Sequence, residues 1–271
     1  VPVIQGIGMR LFHVVAQRFE RFGPYEDAIE PGHSALYHAV LTPVLNVGLV
    51  TPQQVLDAVL GADGIPLNSL EGFVRQVIGW REYMRALYDL EGVPLRTANV
   101  WGFDRDLPDA WYDGTTGLAP VDDVIPRVLQ TGYANHIERL MVLGGALFLT
   151  RVHPTQVYRW FMELFVDAYD WVMVPNAYGM SQHAAGPLLT TKPYMSGSNY
   201  LRKMSHSPRG DWEAEWDGLY WTFLRDYREP IEGYHRMAMI TGHLDRMGED
   251  KMAAHEAAAD RYLKRIGIDD A

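Results

Sequence analysis

The stretch YANHIERLMV, Tyr133 to Val142, sets a histidine and an arginine three residues apart. On a helix His136 and Arg139 share a face, which Leu140 and Leu143 continue inward. A charged arginine beside an apolar stripe needs a partner. Two readings are open: a satisfied core histidine with an arginine at the core's edge, or a pair directed into a pocket. Further on, YRWFMELFVDAYDWVMVPNAYGMSQ carries an apolar stripe of Trp160, Phe161, Leu164 and Phe165, then Asp167, Asp170, Asn176 and Gly179. Carboxylates near a helix C-terminus oppose the macrodipole unless a cation meets them. An Arg139–Asp167 pair would satisfy both groups, as would other pairings in this chain.

Other chemistry has less support. The chain has no HExxH, no GxSxG and no Walker loop, and its histidines lack ligand spacing, so no metal site is expected. With no cysteine, thiolate nucleophiles, disulfides, cysteinyl zinc sites and ordinary iron–sulfur clusters are excluded. GIGMRL at Gly6 has no preceding strand and lacks the later glycine of a phosphate loop. The segment YLRKMSHSPRGDWEAEWDGLYWTF, Tyr200 to Phe223, runs from a basic turn into a knot of Trp and Tyr. It reads either as a floppy loop or as the remnant of a site.

The elements that must position these residues are helices. Apolar residues recur at helical spacing at Leu70, Phe73, Val74, Val77, Trp80, Met84 and Leu87, and again at Val121, Val124, Ile125, Val128 and Leu129. Thr51-Pro52, Asn68-Ser69 with Glu71, and His153-Pro154-Thr155 carry helix-start chemistry. Period-two runs are absent, which argues against a dinucleotide-binding sheet. Gly92 to Thr116 and Val174 to Ser198 read as irregular, and the second is too apolar for a linker and is expected to fold over something.

At 271 residues, 48% hydrophobic and 21% charged, the chain can build a substantial core. Net charge of −10 argues against a uniformly basic nucleic-acid surface. The first residues lack signal-peptide features, and the longest apolar run, Leu140 to Leu149, is about half of the roughly 20 residues a membrane helix needs. A cytoplasmic protein without membrane contact is the expectation.

Seven blocks in order, GPYEDAI, VLTPVLNVGL, PLNSLEGFVRQVIGWREYMR, WYDGTTGL, YANHIERLMV, VDAYDWVMVPNAYGMSQ and TKPYMSGSNYLRKMS, resemble the helical flavin domain of the photolyase/cryptochrome family. They are most similar to the bacterial branch that carries an iron–sulfur cluster and repairs (6-4) photoproducts. The resemblance implies an all-α fold, one FAD-binding domain over residues 1–271, and no amino-terminal α/β antenna domain. It places Arg139 and Asp167 beside the flavin ring and Asn176 near flavin N5. Thr42, Leu45 and Asn46 fall in the segment that meets the FAD phosphates, and Trp80 and Arg81 in the helix lining the flavin and lesion cavity. His136 takes the place of the histidine that assists proton transfer in (6-4) repair. Tyr194 and Tyr200 match tyrosines near the lesion cavity and cluster, and Trp160 a tryptophan of the electron path.

The resemblance also brings departures. The cluster cysteines are replaced by Pro120 and by residues near Pro208, Asp211 and Ala214, so the Tyr200–Phe223 segment resembles a cluster loop without its cluster, with Trp212 and Trp216 filling the space. Tyr112 stands where relatives carry a second electron-path tryptophan, and Asn135 where they carry a histidine beside His136. The implied function is blue-light electron transfer from FAD, with UV-damaged DNA as the partner. Two competing functions are a light sensor and a small-molecule enzyme using the same pocket. Repair would require Arg75, Arg81, Arg202, Lys203 and Arg209 to gather at the pocket mouth.

Overall fold

A computed structural model describes residues 17–268. The GIGMRL motif and the first residues lie outside the described residues. The fold is all-α. Among the described residues, strand-type pairing is confined to two isolated bridges, Ile29 with Ser205 and Arg105 with Val152. No helix among them is long and apolar enough to cross a membrane.

The helices that shape the site are α1 (Thr42–Asn46), α2 (Pro52–Leu60), α3 (Leu67–Val74) and α4 (Arg81–Leu95). They are followed by α5 (Ala119–Thr131), α6 (Gly145–Leu149), α7 (Pro154–Leu164) and α8 (Asp170–Val174). Last come α9 (Ser198–Met204), α10 (Trp212–Asp226) and α11 (Glu249–Arg265). Three π-helical turns join or extend them. Arg75–Trp80 links α3 to α4, Glu138–Gly144 leads into α6, and Pro175–Ser181 extends α8.

Local chemistry explains the starts of two helices. Thr51 and Gln54 form a reciprocal capping box at α2, and His153 Nδ1 accepts from the Thr155 N–H at α7. Asn68-Ser69 falls in the first turn of α3 as its chemistry suggests, but supplies no side-chain cap. The helix begins at Leu67, because Ser69 Oγ instead accepts the Gly23 N–H at 2.9 Å and ties in the preceding segment. Gly92 to Thr116 is less irregular than expected. Pro94 falls in the last turn of α4, and Ala110–Asp113 adds a short helix. Similarly, α8 runs on as a π turn to Ser181, so the expected loop is helical over its first third.

Apart from a small cluster of Leu95, Val174, Tyr178 and Ala184, two apolar cores are present among the described residues. The smaller one gathers Phe19, Phe22, Leu41, Leu45, Val55, Phe73 and Val77. The larger one holds Trp111, Leu140, Phe161, Met173, Trp216 and Phe223. Trp212 and Trp216 are fully engaged in the larger core, 3% and 0% exposed, so the segment after Tyr200 is not a floppy loop. Their indoles meet edge to face at 6.4 Å, and their N–H groups donate to the Pro208 and Ser196 carbonyls at 2.8 Å each. Arg265 of α11 clamps α10 through two bonds to Glu215, 2.5 and 2.7 Å.

Candidate functional site

A cavity of about 300 Å³ lies at the seam between the two cores. Phe22, Leu41, Leu45 and Phe73 line it from one side, Leu140, Phe161 and Met173 from the other. Its size is at the lower end of the ~300–1,000 Å³ range of small-molecule and cofactor sites. Each of the three π turns reaches the wall, through Gln76 and Trp80, through Arg139, and through Asn176 and Ser181. A π turn fits an extra residue into the helix, which re-aims the side chains around it and leaves the ladder locally weaker; such turns cluster at functional sites. Gly144 lets two of them touch. A Cβ there would lie within the Ser181 hydroxyl's contact distance and 2.9 Å from the Arg139 carbonyl oxygen.

Polar groups converge on Asp167. Arg139 grips its carboxylate with two bonds, Nη1 to Oδ1 at 2.8 Å and Nη2 to Oδ2 at 3.1 Å, the bidentate geometry in which guanidinium and carboxylate bind best. Arg139 Nε donates to the Ala134 carbonyl, and the guanidinium lies 4.4 Å from the Phe165 ring centroid. Thr42 Oγ1 donates to Asp167 Oδ2 at 2.6 Å, and the Asn46 amide donates to the Asp167 carbonyl at 2.8 Å. This network staples α1 across the seam. Asp170 does not share Asp167's position beyond a helix end: it is the first residue of α8, where a carboxylate suits the dipole, and it accepts bonds from Tyr88, Arg96 and Tyr158.

Arg81 differs from Arg139. It donates to Asn46 Oδ1 at 3.0 Å and stacks 5.1 Å from the Trp171 ring, with no carboxylate at ion-pair distance among the described residues. Burial lowers its pKa. A partly buried cation with spare N–H groups in a cavity wall is suited to an anionic ligand group. Asn176 donates to the Val172 carbonyl at 2.7 Å, which leaves its amide oxygen as an acceptor at the cavity.

His136 faces the void, with its ring 6.2 Å from Trp80 and no hydrogen-bond partner among the described residues. Its side chain is exposed to the cavity, with protein packed around that cavity. That enclosure, and then the Arg139 and His38 charges, lower its pKa to about 4, so the imidazole is neutral at neutral pH. His38 also lines the cavity, with Nε2 2.9 Å from the Glu26 carbonyl, and burial lowers its pKa too. Burial pushes the Tyr133 phenol up to about 12 and raises the Glu26 carboxyl.

All eight residues expected at the cofactor, together with His136, line this one cavity. Trp160, Tyr194 and Tyr200 do not. Trp160 is wholly buried behind Phe161, and Tyr194 and Tyr200 are partly buried against the larger core. Asn135 also misses the cavity. It is 1% exposed, and its amide has no partner among the described residues. Of the five basic residues expected at the mouth, Arg81 lines the cavity, while Arg75 pairs with Glu71 and Arg202 with Glu213.

Sequence reasoning missed His38, Tyr133, Trp171 and the wall segment around Val40. Leu36 and Val40 hold φ of +43° and +53°, a strained left-handed geometry for non-glycine residues and most of all for β-branched valine. Such strain costs about 1–3 kcal/mol per residue and clusters at functional sites. Nothing in the local sequence marks it.

The family model described as the FAD binding domain of DNA photolyase matches residues 74–227. The chain is 38% identical over 258 residues to the (6-4) photolyase of Agrobacterium fabrum, covering 90% of this chain and 51% of that protein. It is 28% identical over 160 residues to the deoxyribodipyrimidine photo-lyase of Neurospora crassa, covering 54% of this chain and 25% of that one. The crystal structure of a bacterial class III photolyase from Agrobacterium tumefaciens superposes with a TM-score of 0.57 at 19% identity, over 99% of this chain and 51% of that one. The chain thus spans about half the length of the Agrobacterium fabrum protein.

Proposed function

From the premise that the chain belongs to the photolyase/cryptochrome family, through the FAD-binding domain of DNA photolyase, we propose that its cavity holds FAD for light-driven electron transfer to UV-damaged DNA of the (6-4) type. The observation that carries this reading is the bidentate Arg139–Asp167 pair, tied to α1 through Thr42 and Asn46 in the wall of an apolar cavity.

The residues present fit such a guest. Apolar and aromatic side chains offer faces for a flat ring, and Arg81 with Thr42 and Asn46 offers donors to phosphate oxygens. Arg139 and Asp167 hold a fixed charge pattern beside the ring, and the Asn176 amide supplies a further polar contact. When bound, the flavin supplies one-electron photochemistry; the protein binds, orients and excludes water. His136 is the candidate proton donor to a damaged base. Because its ring is neutral in the cavity as it stands, an anionic guest must raise its pKa before it can act as a charged acid.

A second reading, a flavin light sensor that does not repair, is favoured by the acidic wall residues Glu26 and Asp27 and by the carboxylates that occupy Arg75 and Arg202. One experiment separates the two: binding of a (6-4)-damaged duplex across a salt series, with illuminated turnover, for the wild-type chain and His136→Asn. Repair expects salt-sensitive, damage-selective binding and turnover in the wild type, with turnover lost in His136→Asn while flavin stays bound. A wild-type protein that holds flavin but neither binds nor restores the duplex would leave the sensor reading standing. An absorption spectrum without a flavin band after reconstitution would end both.

A further inference from the structure

Ser181 ends the third π turn and lines the cavity, although it is only 6% exposed. Elsewhere in this chain a hydroxyl on a helix or at its end has a ready use for its proton. Thr131, Thr150, Ser205 and Thr222 each donate to the carbonyl four residues back, at 2.7 to 2.9 Å. For Ser181 that carbonyl belongs to Ala177. The π turn aims it at the Gln182 N–H instead, five residues on and 2.9 Å away, and Ser181 makes no bond to it. Among the described residues no protein group accepts the Ser181 proton.

Gln182 decides which way that proton turns. Its side chain is fully buried, and its Nε2 donates to the Gly144 carbonyl at 3.2 Å and to Ser181 Oγ at 3.0 Å. A carbonyl can only accept, so the amide nitrogen must face Gly144; the same nitrogen then makes Ser181 Oγ an acceptor. The hydroxyl proton is turned away from Gln182. Gly144 completes the arrangement, because a Cβ there would crowd out the Ser181 oxygen. The cavity wall therefore holds a hydroxyl whose oxygen is engaged by the protein and whose proton is left for a guest.

We propose that Ser181 is a hydrogen-bond donor reserved for an acceptor atom of the cavity's guest, with Gln182 as its positioning residue. The proposal rests on the flavin reading for the guest, whose ring carries carbonyl oxygens and bare nitrogens as acceptors and an N–H as donor. Asn176, five residues earlier on the same turn, has its amide nitrogen engaged by the Val172 carbonyl and keeps its oxygen for the cavity. One π turn thus presents an acceptor and a donor. A polar heterocycle that offers the opposite pattern satisfies both, whereas a hydrocarbon ring strands them. A buried donor left without an acceptor is costly, so Ser181 selects among rings of similar shape by their polar edge.

The test titrates the FAD-free chain with FAD by fluorescence quenching, records infrared difference spectra of the bound ring, and follows thermal unfolding of the FAD-free chain. Wild type is compared with Ser181→Ala, Ser181→Cys and Gln182→Met. Ser181→Ala should weaken FAD binding by about tenfold, the upper end of what one neutral hydrogen bond contributes, and shift a ring carbonyl or C=N band. Ser181→Cys, a weak donor of nearly the same shape, should fall between that variant and wild type. Gln182→Met keeps the hydroxyl but removes the amide that directs it, so affinity should fall by less than in Ser181→Ala. Wild-type affinity and bands in Ser181→Ala overturn the proposal. So do affinity losses that follow the thermal midpoints of the FAD-free variants while the bands stay in place, because packing alone then explains them. A wild-type chain that takes up no FAD overturns the flavin reading, and the proposal with it, before any variant is compared.

Discussion

Arg139 and Asp167, 28 residues apart in sequence, are joined by two N–H···O bonds of 2.8 and 3.1 Å at the seam between the two apolar cores. Their side chains are 18% and 6% exposed, so neither charge is well solvated if the other is removed. The pair also anchors α1, since Asp167 accepts from both Thr42 and Asn46.

Asp167→Ala should therefore destabilise the chain by about 3–5 kcal/mol, the cost of stranding one partner of a buried pair. Flavin retention should fall with it. Asp167→Asn, which keeps an acceptor for Arg139, should lose less of both. Urea unfolding and the flavin-to-protein absorbance ratio measure the two effects, and wild-type values in Asp167→Ala would remove the pair from its assigned place.

Gly144→Ala should cost about 1–3 kcal/mol through overpacking, because its Cβ would crowd the Ser181 hydroxyl and approach the Arg139 carbonyl to 2.9 Å. Adding Ser181→Gly removes the first clash but leaves the second, so the double variant should recover part of the loss. Thermal unfolding of the single and double variants is the measurement.

Trp216→Ala should cost about 3–5 kcal/mol, since it empties a large buried site and strips the edge-to-face partner from Trp212. Trp216→Phe keeps most of the volume but loses the bond to the Ser196 carbonyl, and should cost less. Equal stabilities for wild type and Trp216→Ala would show that α10 does not lean on this pair.

His183 is fully buried between the Thr190 hydroxyl and the Tyr234 phenol, each 2.9 Å away, and burial lowers its pKa to about 4 from 6.5. Between those two values the unfolded chain binds more protons than the folded one. Stability is therefore full above about pH 6.5 and declines as pH falls toward 4, with His136 acting in the same direction. His183→Gln should flatten part of this slope in denaturant titrations across the window. An unchanged slope would mean that His183 does not titrate on unfolding.

Much of the site could be read along the chain because its signals are local. Helical spacing puts His136 and Arg139 on one face, and the capping box at Thr51 starts α2 where the sequence marks it. The eight residues that the resemblance assigns to a cofactor all line one cavity. Where the local signal failed, a distant contact had overridden it: Ser69 left its capping role to bind the Gly23 N–H, 46 residues away.

By itself the sequence determined the helical class, the absence of thiol chemistry and the face that α5 buries through Val121, Val124, Ile125 and Val128, though not Leu129, which is exposed, because period and composition act within a few turns. Only the tertiary structure decided what meets each face. Thr42 reaches Asp167 across 125 residues, and His38 reaches the cavity through a backbone strained at Leu36 and Val40. The three π turns arise where helices must offer side chains to one void, and Trp212 and Trp216 are buried because they pack into the larger core, where Trp216 meets Gly145 and the Ser196 carbonyl. These outcomes depend on volume and hydrogen bonds shared between remote segments. A single chain of letters carries that information only jointly, in the packing that all of its segments form together.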